Sequence, residues 1–157
     1  MAGLKKEPPK FSQFDEEPIL LKLLGSIKNG RCADIGARER RGSNVAWCID
    51  EGWWAQLIDR NVNGLLRDFP LAKYPKVTHV RRLVTPQNVN DFLWKDLDLL
   101  SIDIDGPDAD VWEAIEERPW VLCIEAMEVN RPKIMQVSEE RGYKLHAETG
   151  PNLIYVR

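Results

Sequence analysis

The chain has no long apolar run. Its longest, residues 45–49 and 120–124, are about five residues, against the ~20 needed to cross a bilayer. Histidine is scarce: His79 and His146 are too few for a multi-histidine metal centre. Three cysteines, Cys32, Cys48 and Cys123, are an odd number without CxxC spacing, which argues against a disulfide framework or a zinc site. Their neighbours are largely apolar, as around buried thiols. Positive charge is not in surplus: 22 Lys and Arg stand against 25 Asp and Glu, a net charge of -3. That balance excludes a polybasic nucleic-acid coat and counts against nucleic acid as a partner. There is no internal repeat. The first residues, MAGLKKEPPKFSQF, are charged without the apolar stretch of a signal peptide, so the expected location is cytoplasmic.

What is present suits one globular domain. Of 157 residues, 43% are hydrophobic and 30% charged, ordinary for a chain with a core and unlike a disordered one. Residues 1–10, polar and Pro-containing, read as a flexible N-terminal tail, and 11–157 as a single domain.

From Asp15 to about Ile27, apolar residues recur at helical spacing until Asn29-Gly30 breaks the pattern. Strands are then expected at about 32–36, 53–58 and 77–84, within 98–106, and at 120–124, with a helix after each. Ser43 or Asn44 is expected to cap the first of these helices. The second turns Leu65, Leu66 and Phe69 inward and ends at Pro70. Thr85-Pro86 reads as a helix start, and Pro107-Asp108 as another. Two strands, 143–147 and 152–156, close the chain around Thr149-Gly150-Pro151. Such alternation predicts an α/β domain with a mainly parallel sheet, and the short last turn predicts an antiparallel C-terminal hairpin.

In open α/β sheets ligands bind beyond the carboxyl ends of the strands. Those ends carry Asp34 and Gly36, Asp59, then Asp103, Asp105 and Gly106, and Glu125. Gly36 permits a tight turn and close backbone approach to a ligand, and Asp34 can accept hydrogen bonds from an ammonium or from loop amides. Asp59 follows Gly36 by twenty-three residues, about the offset at which an acid takes a ribose diol in nucleotide-binding α/β units. The loop lacks GxGxxG and a Walker motif, so dinucleotide and triphosphate binding are not supported.

Several segments appear in a specific order: Phe11-Ser12-Gln13-Phe14-Asp15-Glu16-Glu17, Asp34-Ile35-Gly36-Ala37 with Ser43-Asn44, Glu51-Gly52-Trp53, and Leu57-Ile58-Asp59. Then come Asp98-Leu99-Leu100-Ser101-Ile102-Asp103-Ile104-Asp105-Gly106, Val111-Trp112, Ile124-Glu125, Gly142-Tyr143-Lys144-Leu145 and the closing hairpin. In this the chain resembles the FkbM-like S-adenosylmethionine-dependent methyltransferases, as a compact member. The resemblance implies a Rossmann-like methyltransferase fold with a seven-stranded sheet in the order 3-2-1-4-5-7-6, strand seven antiparallel. It implies S-adenosylmethionine as cofactor, with Gly36 and Ala37 flanking its methionine part and Asp34 near its amino group. Asp59 would hold the ribose, and Gln13 the carboxylate. Asp103 would lie where methyl meets acceptor, contacting cofactor and serving as the base; Glu125 and His146 are alternatives. Asp105 would serve the turn and cap the next helix. No metal-ligand set is read from the sequence.

Two features depart from that family. In Arg38-Glu39-Arg40-Arg41-Gly42 an arginine stands near a usual second glycine, costing about 1 kcal/mol or more if its backbone is left-handed. That loop reads as an anion site at a helix N-terminus or as a solvated loop balanced by Glu39. And Glu125 reaches the next helix, near Arg131, almost directly, where the family has a long segment that helps form the acceptor pocket. The acceptor side is therefore open, completed by a second subunit, or lost. Trp54 and Trp94 are candidates for a subunit contact, while most of the six tryptophans are expected in the core. The expected activity is O-methylation of a small-molecule or sugar acceptor, with no membrane partner and with a homo-oligomer as a candidate assembly. The alternatives are a non-catalytic cofactor-binding or interaction module, or a methyltransferase on an acidic macromolecule recruited by Arg38, Arg40 and Arg41.

Overall fold

Helix α1 (Glu16–Leu24) leads into strand β1 (Arg31–Ile35) in a computed structural model that describes residues 11–157. The expected tail, 1–10, lies outside the described residues. The chain continues through α2 (Ala46–Asp50), β2 (Trp54–Asp59), α3 (Asn63–Asp68), β3 (Val77–Arg81), α4 (Val89–Phe92) and β4 (Leu99–Ile102). It ends with α5 (Asp108–Ala114), β5 (Val121–Glu125), α6 (Arg131–Glu140), β6 (Lys144–Thr149) and β7 (Asn152–Val156). Among the described residues no helix is long and apolar enough to cross a membrane.

The strands form one seven-stranded sheet, β3-β2-β1-β4-β5-β7-β6. β1 to β5 are parallel, and β7 runs antiparallel to both its neighbours. The order and the hairpin agree with the sequence expectation. Alternating side chains leave each strand by opposite faces, and both faces are apolar. Leu100, Ile102, Leu122 and Ile124 join Trp112 and Ile134 on the face covered by α4, α5 and α6. Cys32, Ala55, Leu57, Leu99 and Cys123 meet Leu20, Leu24, Trp47 and Phe69 on the other. All three cysteines are free and buried.

Several local expectations need correction. Leu66 is exposed, because on so short a helix it sits about 100° around from buried Leu65. Neither Ser43 nor Asn44 is the N-cap of α2; Val45 is. Ser43 Oγ instead accepts the Val45 amide at 3.2 Å and donates to Asp34 at 3.4 Å. β3 stops at Arg81, and Thr85-Pro86 opens a turn in which the Asn88 side chain accepts the Thr85 amide, so that α4 starts only at Val89. At α5 the acid that holds the turn is Asp108, not Asp105: its two oxygens accept the Ile104 and Gly106 amides at 2.8 and 3.0 Å.

The site-forming feature of the fold is the fork between β1 and β4, where the strand order reverses. Gly36 turns there with φ +95°, and its amide donates to Ile58 O at 2.8 Å. A Cβ on Gly36 would stand 1.8 Å from the carbonyl oxygen of Asp103, so no side chain fits without moving β4. Gly36→Ala is expected to cost about 2–4 kcal/mol, summing overpacking and left-handed backbone, measured by urea unfolding. Wild-type stability in that variant would contradict the packing described.

Candidate active site

A cavity of about 540 Å³ opens at this fork. Gly36, Asp103 and Ile104 form its floor from β1 and β4; Asp59, Arg60 and Asn61 come from the end of β2, and Arg82 and Val84 from the segment after β3. Asp59 Oδ1 accepts the Asn61 amide at 2.7 Å, which fixes the carboxylate at the wall. Arg38 and Asp105, exposed, pair across the mouth. The volume suits a small ligand or cofactor.

The expected site residues divide between the cavity and its support. Gly36, Asp59 and Asp103 line it. Ala37 is buried in the core under α2 and α3. Gln13 lies against Gly42, next to the Ser12–Gly42 bridge that joins the N-terminal segment to the loop after β1. Asp34 is buried at 4% exposure, level with Ser101 in β4, which in turn is level with Cys123 in β5. Above this row, Asn44 donates to Ser101 Oγ at 3.3 Å and reaches Cys123 Sγ at 3.5 Å. Asp34 with Ser43, and Ser101 with Asn44, tie the descending loop to the sheet. Burial outweighs the bonds from Ser101 and Ser43 and pushes the Asp34 carboxyl up to about 7.

In the loop after β1, Arg38, Glu39 and Arg41 are exposed, as the solvated reading expects, and Arg40 departs from both readings. Arg40 is absent from the positive-φ residues, so the expected strain does not arise. Its guanidinium lies over Phe11 at 4.5 Å and Phe69 at 5.2 Å, pairs with Asp50, and donates to Tyr74 Oη at 3.3 Å. Its amide donates to Asp68 Oδ2 at 3.0 Å. Arg40 fastens the loop to α2 and α3; it is not an anion receptor. The N-terminal segment is fixed as firmly: buried Glu16 accepts Thr149 Oγ1 at 2.9 Å, Asn152 Nδ2 at 2.6 Å and the Phe14 amide at 2.9 Å.

Beside the cavity, Asp103, Asp105 and Glu125 bring one oxygen each within 4.8 Å of one another. Among the described residues no donor reaches the buried Oε2 of Glu125, and the Asp103 carboxyl lies next to it. Two such groups meet stably by sharing a proton. Burial first, and then Asp103, push the Glu125 carboxyl up to about 8; burial also raises Asp103, while the bond with Glu125 lowers it. The same three oxygens suit a divalent cation. The other alternative base, His146, is exposed on edge strand β6, three strands from β4. Reasoning from acids and glycines at strand ends passed over Arg60, Arg82 and Val84; the carboxyl ends of β2 and β3 were the signal for them.

No family model and no curated protein matches the chain. Among solved structures the fold is similar to the precorrin-6y C5,15-methyltransferase of Geobacter metallireducens GS-15, with TM-score 0.60, 19% identity, and 89% of this chain and 84% of that one covered. It is similar to an S-adenosylmethionine-dependent O-methyltransferase of Thermotoga maritima, with TM-score 0.56, 14% identity, and coverage of 90% and 64%. It is similar also to Aeropyrum pernix fibrillarin with natively bound S-adenosyl-L-methionine, with TM-score 0.58, 13% identity, and coverage of 88% and 72%. At these identities the likeness is one of fold: this is a Rossmann-like methyltransferase fold.

Two outcomes test the support of the site. Arg40→Gly should lose about 2–4 kcal/mol in urea unfolding, from lost ring contacts, ion pair and loop rigidity; a gain would mean that Arg40 is strained after all. For Asp34, the folded protein holds a proton that the unfolded chain releases near 3.8. The contribution of Asp34 to stability should therefore be greatest below that value, fall as pH rises towards about 7, and level off above, by up to ~4 kcal/mol. Asp34→Asn should reduce this slope between pH 5 and 7, with Glu125, raised to about 8, adding a fall of the same sign in both proteins. An unchanged slope would contradict the burial argument.

Proposed function

We propose that this chain is an S-adenosylmethionine-dependent methyltransferase of FkbM-like type that methylates an oxygen of a small-molecule or sugar acceptor in the cytoplasm. The observation that carries the proposal is the cavity at the β1–β4 fork. It is closed below by a glycine that tolerates no side chain and is walled by Asp59 at the end of β2. The fold, and neighbours that are themselves methyltransferases, support it. The FkbM-like placement rests on the sequence segments alone.

The cavity fits the cofactor in size and polarity: a bidentate acceptor for a ribose diol stands at the wall, and backbone is exposed at Gly36. When bound, S-adenosylmethionine supplies a methyl group activated by a sulfonium. The protein's share is positioning and proton handling. Asp59 is the group for the ribose hydroxyls. Gln13, Asp34 and Ala37 act through the loop 37–44, which they hold or border. Asp103, on the cavity floor, faces the acceptor side and is the residue to take the hydroxyl proton at its carboxylate oxygen, with Glu125 behind it.

The second reading, a cofactor-binding module without turnover or a methyltransferase on a macromolecule, is favoured by one feature. The connection 126–130 is short, and Met127 and Val129 on it are exposed, so that little covers the acceptor side. Turnover separates module from enzyme.

Calorimetry with S-adenosylmethionine and S-adenosylhomocysteine is expected to give micromolar binding, weakened by about 1–3 kcal/mol in Asp59→Ala. Absence of binding to the folded protein would overturn the proposal.

A further inference from the structure

The amino end of the sheet, opposite the proposed site, carries three cation–aromatic pairs. Lys76 lies over Trp54 at 5.4 Å, Arg31 over Trp94 at 5.1 Å, and Arg157 over Trp120 at 5.8 Å. Trp54 is 46% and Trp120 44% exposed. These positions belong to one end. Arg31 and Trp54 are level at the starts of β1 and β2, and Trp120 directly precedes β5. Arg157 follows antiparallel β7, and its amide donates to Trp120 O at 3.0 Å.

Charge differs along this end, and the two regions meet where Asp98 Oδ2 accepts the Arg31 amide at 2.9 Å. At Trp54, Lys76 lies over the ring and Arg31 stands level with it at the start of β1. Beside Trp120 an open depression of about 640 Å³ has the opposite sign: Asp96, Asp98, Glu116 and Glu117 outnumber Arg118 and Arg157, above a floor that includes Ile27 and Leu97. A polyanion would satisfy one region and be repelled by the other. A second copy related by a two-fold axis satisfies both, because an isologous contact sets each region against its complement. Six strand spacings of ~4.8 Å make this end about 29 Å long, a length that accommodates the ~800 Å² per partner of a stable pair.

We propose that two copies of this chain pair through the amino ends of their sheets, each inserting Trp54, with its surrounding cations, into the acidic depression beside the partner's Trp120. This leaves both carboxyl-end cavities facing outward, and it stands independently of the proposed activity.

The test is a charge exchange read by analytical ultracentrifugation of the full chain. Variant one is Lys76→Glu with Arg31→Glu. Variant two is Glu116→Lys with Asp96→Asn, since Asn tolerates the positive φ at position 96. Wild type is expected to be a dimer at micromolar concentration. Each variant alone should dissociate at least tenfold more readily, and an equimolar mixture of the two should recover pairing. Trp54→Ala, on an exposed ring, should also raise the dissociation constant at least tenfold, and circular dichroism reports whether each variant is folded. A monomeric wild type, an unaffected dimer in the folded variants, or no recovery on mixing would overturn the proposal. Salt-sensitive binding of single-stranded oligonucleotide, abolished in variant one and with no dimer in wild type, would assign the basic region to nucleic acid instead.

Discussion

The contact on which the site depends is that of Gly36 with the main chain of Asp103. At the end of β1 the backbone turns left-handed against the carbonyl of β4's next residue, while its amide bonds back to β2. Three central strands are thereby locked at the height where their loops part. The cavity exists because the loop from β1 must leave one way and the chain from β4 the other. Any Cβ at position 36 would push these strands apart and close the space they leave.

A loop that leaves so sharply has to be held along its length, and here the holding is polar. Asp34, Ser101 and Cys123 form a row across β1, β4 and β5, and Ser43 and Asn44 settle on it. Burying a carboxyl is costly unless it is bonded or neutral, and Asp34 is both bonded and shifted towards neutrality. Further along, Arg40 does with side-chain contacts what a second glycine does by conformational freedom: it keeps the loop flat on α2 and α3. Glu16 performs the same service for the N-terminal segment, joining α1 to the β6–β7 turn.

Much of this was legible in the sequence because it is periodic. The mainly parallel sheet and the antiparallel hairpin follow from alternation of short apolar runs with amphipathic ones, the strand order comes with the family resemblance, and Gly36, Asp59 and Asp103 follow from the rule that ligands meet strand ends. The rest depends on contacts distant in the chain. Nothing adjacent to Arg40 announces Phe11, Asp50 and Tyr74 as its partners. Nothing adjacent to Asp34 announces Ser101, sixty-seven residues later, level with it in β4. Thr85-Pro86 carries a good helix start, yet the Asn88 side chain claims the amide and makes a turn.

The central claim is that the β1–β4 fork is a cofactor site. It is tested most directly by a crystal structure of the protein grown with S-adenosylhomocysteine. The account predicts ligand density over Gly36 and Asp103, with the ribose hydroxyls within hydrogen-bond distance of Asp59. An empty fork, or a ligand bound elsewhere, would contradict it.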